Sequence, residues 1–169
     1  RRNSKLVFHG GHWVFPGGRV DQTDFEGVEG LEYRAALKAA VRETKEEAGL
    51  DIGESQLIHT AHWTTPPHLP RRFCTWFFMC PVPRTATVVV DNDEILEHRW
   101  ITPQAALAAS KAEEIVLPQP TKETLKGIAQ ISSVKALLDW AASTPVHIFP
   151  DDSPFYRPQE MGYPLSEPC

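Results

Sequence analysis

Between Arg42 and Leu50 the chain reads Arg-Glu-Thr-Lys-Glu-Glu-Ala-Gly-Leu, and Glu43, Glu46 and Glu47 fall at i, i+3 and i+4. On an α-helix those positions share one face. A helix is the expected local structure, because the alanine-rich run from about Glu32 to Ala48 is helical in pattern and Gly49 is a good C-terminal stop. On the same helix Leu37, Val41, Thr44 and Ala48 form a stripe suited to a core, and Arg34, Lys38, Arg42 and Lys45 cluster on a third side. Three carboxylates on one ridge repel one another, by ~0.2–0.5 kcal/mol for each exposed pair and by more when buried. They also sit in the last turns, where the helix dipole disfavours negative charge. Either the ridge is a solvated face, or something compensates it. Hard divalent cations are the natural compensation, since Mg²⁺ takes oxygen ligands and is held by a few carboxylates plus substrate phosphates. The upstream sequence favours the second reading: Phe15-Pro16-Gly17-Gly18 supplies a glycine turn, and Asp24 follows shortly after.

The rest of the composition narrows the class. A chain of 169 residues with 41% hydrophobic and 23% charged residues is globular and long enough for one domain with its own core. No apolar run approaches the ~20 residues of a membrane span. The formal charge of −5 argues against a dedicated duplex-binding face, so neither nucleic acid nor membrane is an expected partner. Cys74, Cys80 and Cys169 show no metal spacing, and an odd count argues against a disulfide framework. They read as small core hydrophobes, and a reducing, cytoplasmic setting is the expectation. The chain opens at Arg1-Arg2 without an initiator Met, so residues are expected to precede it and a peroxisomal or other N-terminal address stays open.

Residues 5–15 read as two strands or a strand with a tight turn, 19–31 as loop, and 55–63, 72–80, 86–90 and 96–101 as strands. Helices are expected over 103–112, 121–130 and 132–142. The class is α/β, with helices packed on a sheet. One domain is expected over 1–149, with extra helices at 119–142, followed by a Pro-rich tail over 150–169 that orders on contact or serves as a partner arm.

The segment Arg42-Glu43 through Gly49-Leu50, with Gly18 and Asp24 upstream, resembles the box of the Nudix hydrolases: Gly, five residues, Glu, seven residues, then Arg-Glu-aliphatic-any-Glu-Glu-any-Gly-aliphatic. Asp24 stands where that box has Glu, Thr44 replaces an aliphatic residue, and the stretch from Asp24 to Arg42 is ten residues longer than the family spacing. The interrupted box, Trp63-Thr64-Thr65-Pro66, Arg71-Arg72-Phe73-Cys74-Thr75-Trp76-Phe77-Phe78 and Leu117-Pro118-Gln119-Pro120-Thr121 are similar to the subgroup that includes the peroxisomal coenzyme A diphosphatase. Cys74 stands where that subgroup has Asp. The likeness covers roughly residues 1–130.

The resemblance implies an α/β/α sandwich around a mixed sheet, with the box as loop-helix-loop. It implies Mg²⁺-dependent hydrolysis of the pyrophosphate bond of a nucleoside diphosphate linked to another group, with Mn²⁺ as a substitute. Glu46 and Glu47 become the core metal ligands, Glu43 a further ligand or the base that orients water, and Gly18 a source of close backbone approach to the metal. Arg42 pairs with a neighbouring carboxylate. Glu94, with Glu97 behind it, is the candidate for a base from a late loop; its alternative is a polar turn over 91–94. Arg71 and Arg72 are candidates for holding substrate phosphate, and Trp63 and Trp76 for stacking on a base, against the plainer readings of strand-edge charge and core aromatic. His12, His59, His62 and His68 lack metal spacing and read as hydrogen-bonded fixtures. Coenzyme A-like and ADP-ribose-like substrates both remain: Gly11 keeps part of a coenzyme A motif while Val7 departs from it, and Pro66 stands sixteen residues after Leu50, a spacing associated with ADP-ribose. A non-catalytic nucleotide-binding or sensor module on the same fold is the alternative. The late helices and tail either cover the sheet or bridge a homodimer.

Overall fold

The structure, a computed structural model, describes residues 1–69 and 71–164; Cys169 and the end of the Pro-rich tail lie outside the described residues. Its longest element is helix α1, Glu32–Ala48. Ala35, Ala36, Leu37, Ala39 and Ala48 are buried, so small side chains let the helix lie close to its neighbours, while Val41 and Thr44 of the expected stripe are half-buried. Gly49 ends the helix in the left-handed region at φ 67°, and its N–H donates to the Lys45 carbonyl at 3.0 Å.

Helix α1 is followed by a mixed sheet. Strand β1, Ile58–Thr64, lies at its centre, antiparallel to β2, Cys74–Met79, and parallel to β3, His147–Phe149. Helices α2, Pro103–Lys111, α3, Gln119–Ile128, and α4, Val134–Ser143, lie between β2 and β3 in the chain. The starts of α2 and α4 follow from their caps: Thr102 accepts from the Ala105 amide, with Pro103 opening the helix, and Ser133 accepts from the Ala136 amide. Ala106, Leu117 and Leu125 form a small core with Trp13, Leu107 and Ile115 against it. The α/β class and the mixed sheet agree with the expectation. No helix among the described residues is long and apolar enough to cross a membrane.

Several expected strands are absent. Within 5–15, residues 7–11 form turns and 12–15 form no strand; His9 and Gly11 take φ values of 53° and 78° that no extended strand holds. Over 86–90 the Val89 amide donates to the Ala48 carbonyl at 2.9 Å, so it satisfies an orphan carbonyl of α1 in place of a ladder partner. Over 96–101 the long-range bonds go to Arg1, from the Leu96 amide to its carbonyl and from its amino group to the Glu97 carbonyl, beside the single bridge Arg2–Ile95. Tail residues up to 164 lie on the body. Ser153 hydrogen-bonds Thr64 at 2.7 Å, and the Met161 carbonyl accepts from the Tyr33 amide at 3.0 Å.

Two expectations about side chains fail. Cys74 is exposed at the start of β2, where the strand begins at the sheet edge, and Cys80 is half-buried, so Cys74 is not a core hydrophobe. His62 is 0% exposed among Trp76 and Tyr156, and both of its ring nitrogens lack a hydrogen-bond partner. His59, packed on Tyr33 and Phe78, has one ring nitrogen near the Ala61 carbonyl at 3.1 Å and the other unpartnered. Burial pushes each imidazole down to about 4, which keeps both neutral in the folded chain.

The unfolded histidines titrate near 6.5, so their contribution to stability is full above that pH and is lost as pH falls towards 4. By pH 5 the loss is roughly 2 kcal/mol per histidine. Urea unfolding of the wild type and of His62→Leu at pH 7 and pH 5 checks this: the variant is expected to shrink the fall in stability by about that amount.

Candidate active site

The site begins in the loop before α1. Residues Gln22–Phe25 form a single 3₁₀ turn that buries Asp24, and the Asp24 carboxylate accepts from the Asp21 amide at 2.8 Å. The inserted residues then turn back on themselves at Gly27 and Gly30, both with positive φ, and lead into α1. One and a half to two turns before the C-terminus of that helix, Arg42 reaches across the gap. Its Nη2 donates to Asp24 Oδ2 at 2.9 Å and to the Arg19 carbonyl at 2.9 Å, and its Nε to Asp24 Oδ1 at 3.3 Å. Its Nη1 donates to Glu43 Oε1 at 2.8 Å and to Glu46 Oε2 at 3.3 Å. Asp24 is only 4% exposed. The Arg42 hydrogen bonds hold its carboxyl below the usual range against the opposing effect of burial, and Arg42 in turn is held firmly protonated.

Glu47 is 5% exposed. Its Oε2 accepts from the Gly17 amide at 2.8 Å, and its Oε1 lies 3.8 Å from Arg2 Nη1. The other end of the Arg2 guanidinium is paired with Glu94. A turn built on Asp91 delivers Glu94: the Asp91 carboxylate accepts from the amides of Asp93 and Ile95 at 2.8 and 2.9 Å. The Asn3 amide ties the Glu94 carbonyl at 2.7 Å. Burial pushes the Glu47 carboxyl up to about 7; the Gly17 amide opposes the rise, and the charges of Glu43 and Glu94 add to it. Burial also raises Glu43. A Cβ built at Gly18 would overlap the Glu43 carboxylate, so this carboxylate occupies the space that the glycine leaves.

The arrangement suits a hard cation in its donors. Glu47 is pushed up to about 7 by burial and by the nearby Glu43 and Glu94, so its ionised form lacks sufficient compensation. Among the described residues no three His, Cys, Asp or Glu side chains are already spaced around a metal position. Glu43 and Glu46 are turned onto Arg42, and Glu47 and Glu94 onto Arg2. A cation held here would take these carboxylates from their arginine partners.

Glu43, Glu46, Glu47, Gly18, Arg42 and Glu94 are thus gathered at one place. Arg71, Arg72, Trp63 and Trp76 belong to the β1–β2 hairpin, and no hydrogen bond or ion pair among the described residues joins them to the carboxylates. Arg71 is exposed, and the Arg72 guanidinium lies 4.8 Å from the Phe155 ring centre. Trp63 stacks on Phe149 at 3.7 Å and lines a separate cavity of about 420 Å³ with Trp140, Met79 and Ile148. Trp76 packs among Tyr33, His59 and His62. Arg2 and the Gly17 amide are the contributors that the sequence did not suggest. No spacing rule links residue 2 to residues 47 and 94.

A loop-helix-loop whose helix presents paired carboxylates, an arginine clasp and a glycine cradle defines a Nudix-type domain. The NUDIX domain family matches residues 1–119, and the chain belongs to that family. It is similar to "Putative nudix hydrolase 7" of Caenorhabditis elegans, 27% identical over 166 residues, which cover 78% of this chain and 55% of that protein. It is also similar to "Acyl-coenzyme A diphosphatase NUDT19" of Xenopus laevis, 31% identical over 81 residues, which cover 46% of this chain and 21% of that protein. The chain therefore spans about half the length of the first relative and about a fifth of the second. A crystal structure of a NUDIX hydrolase from Alicyclobacillus acidocaldarius shares the fold with a TM-score of 0.72 at 20% identity, covering 82% of this chain and 85% of that one.

Removing Arg42 leaves Asp24 buried without its cation. Arg42→Met is expected to destabilise the protein by about 3 kcal/mol, and adding Asp24→Asn is expected to recover a good part of that. Thermal or urea unfolding of the double-mutant cycle measures the coupling; additive effects would show that the pair is not linked.

Proposed function

We propose that this chain hydrolyses the pyrophosphate bond of a nucleoside diphosphate linked to another group, with Mg²⁺, or Mn²⁺ in its place, held by Glu46, Glu47, Glu43 and the Gly18 backbone. The observation that carries the reading is Glu47: a buried carboxylate, raised to about 7, beside Glu43 and Glu94. A fold keeps such a group at a cost in stability, which marks it as functional. When bound, the divalent ion supplies stabilisation of the charge that develops on the phosphoryl oxygens and lowers the pKa of a coordinated water. The chain's own residues do the rest. Arg42 fixes Glu43 and Glu46 in register with the Gly17-Gly18 turn, Glu43 orients the attacking water, and Glu94 accepts its proton. Arg71 and Arg72 stand exposed to meet the anionic remainder of the substrate. Trp63 and Trp76 give ring faces to Phe149 and to the His62 cluster, so base stacking is no part of this reading.

Two substrate classes fit. The 81-residue likeness to an acyl-coenzyme A diphosphatase supports a coenzyme A-like compound, and Pro66 supports an ADP-ribose-like one. Incubation with Mg²⁺ and coenzyme A, ADP-ribose, NADH and dinucleoside polyphosphates separates them. Turnover of at least one is expected; stabilisation by a nucleotide with no product would favour a binding module, and no response to any would overturn the reading. Glu47→Gln is expected to lower kcat by at least about 100-fold while the fold is kept. Gly18→Ala, at a backbone angle open to alanine, is expected to leave stability nearly unchanged and to lower activity, because the Glu43 carboxylate must move aside.

A further inference from the structure

We infer that Arg2 is a two-partner cation of this site: it neutralises Glu47 and Glu94 in the metal-free protein, and once Glu47 is engaged by a divalent ion its guanidinium passes to a phosphate oxygen of the substrate. The inference rests on the proposed function above. It begins with the placement of Arg2, whose backbone is pinned on both sides. Its amide donates to the His12 carbonyl at 3.0 Å, its carbonyl accepts from the Gly11 amide at 3.1 Å, and it bridges to Ile95. The side chain is mostly buried and points at the carboxylates, and it is the sole basic group paired with Glu47 or Glu94 among the described residues.

The guanidinium is incompletely used. Its Nη2 is spent on Glu94, but Nη1 stands 3.8 Å from Glu47, beyond hydrogen-bond length, and Nε is buried with no partner. Arg42 differs: all three of its nitrogens donate, and its grip on buried Asp24 survives any loss of Glu43 and Glu46 to a cation. A guanidinium whose Nη1 end makes no hydrogen bond is matched to an oxyanion, which accepts a charge-assisted N–H bond there while Nη2 stays on Glu94. A divalent ion at Glu47 would take that carboxylate's charge and leave the Nη1 end of Arg2 free for a phosphate oxygen. The same positive charge competes with the ion for Glu47 while no substrate is present.

Opposite effects on two ligands follow from removing this one cation. In the full chain, Arg2→Met is expected to bind Mn²⁺ alone, followed by the free-ion electron paramagnetic resonance signal, 3- to 10-fold more tightly than wild type. With Mg²⁺ present it is expected to bind α,β-methylene-ADP at least 10-fold more weakly by calorimetry. Arg2→Lys keeps the charge but not the fork, so it is expected to restore wild-type Mn²⁺ binding and to leave nucleotide binding weakened; it also serves where Arg2→Met fails to fold. Lys5→Met, which removes an equal charge at an exposed position, is expected to move neither. If Mn²⁺ binding by Arg2→Met weakens or stays unchanged, or if nucleotide binding is unaffected, the assignment of Arg2 is overturned while the metal site stands. If the wild type binds no Mn²⁺, the proposed function falls and Arg2 falls with it.

Discussion

The clasp of Arg42 on Asp24 is the contact on which the rest of the site depends. It joins the loop that carries Gly17 and Gly18 to the helix that carries the carboxylates, and it does so with a planar fork that fixes direction as well as distance. Because the two ends are held ionically, the length of chain between them matters little. Loop closure costs only ~0.6 kcal/mol for each doubling of length, so a ten-residue interruption of the motif leaves the register of Glu43, Glu46 and Glu47 intact. The substitution of Asp for Glu at position 24 is absorbed in the same way. Its carboxylate sits in a one-turn 3₁₀ helix that brings it within 2.9 Å of the guanidinium.

The site is held in a state that stability alone would not select. Glu47 is buried at the C-terminal end of α1, where the helix dipole, the low local dielectric and two carboxylates all act against its charge. One backbone amide and one arginine at long range are its partners. A cation bound to a cluster in that condition would remove a cost already present in the fold. The two arginines pair with the cluster's carboxylates, and they differ in how firmly they hold. Arg42 is committed to Asp24, whereas Arg2 is free to exchange.

What was legible in the sequence follows from how local each feature is. The ridge of Glu43, Glu46 and Glu47 could be read because helical geometry converts contiguous spacing into a shared face, and Gly49 ended it for a reason of backbone conformation. Strands β1 and β2 could be read from strand-like runs bounded by Pro or Asp. The segments 86–90 and 96–101 have the same strand-like composition, yet strand pairing depends on distant partners. The Val89 amide is used by the end of α1 and the Leu96 amide by Arg1. Strand β3 has three residues beside prolines and carries no period of its own. Arg2 was invisible for a related reason, since its partner Glu94 lies 92 residues away.

The part of the chain beyond the family match is tied to the site mechanically. The match ends at residue 119, but β1, at the centre of the sheet, takes its parallel neighbour from 147–149. That strand covers an edge that would otherwise expose unpaired amides and carbonyls. Further on, the Met161 carbonyl accepts from the Tyr33 amide, one of the donors that the first turn of α1 cannot satisfy internally. Tyr163 packs edge-on against the Tyr33 ring at 4.9 Å. Helix α1 is therefore fixed at its start by the tail and near its end by Arg42 and Gly17. A rigid rod held at both ends transmits little play to its last two turns, which carry Glu43, Glu46 and Glu47.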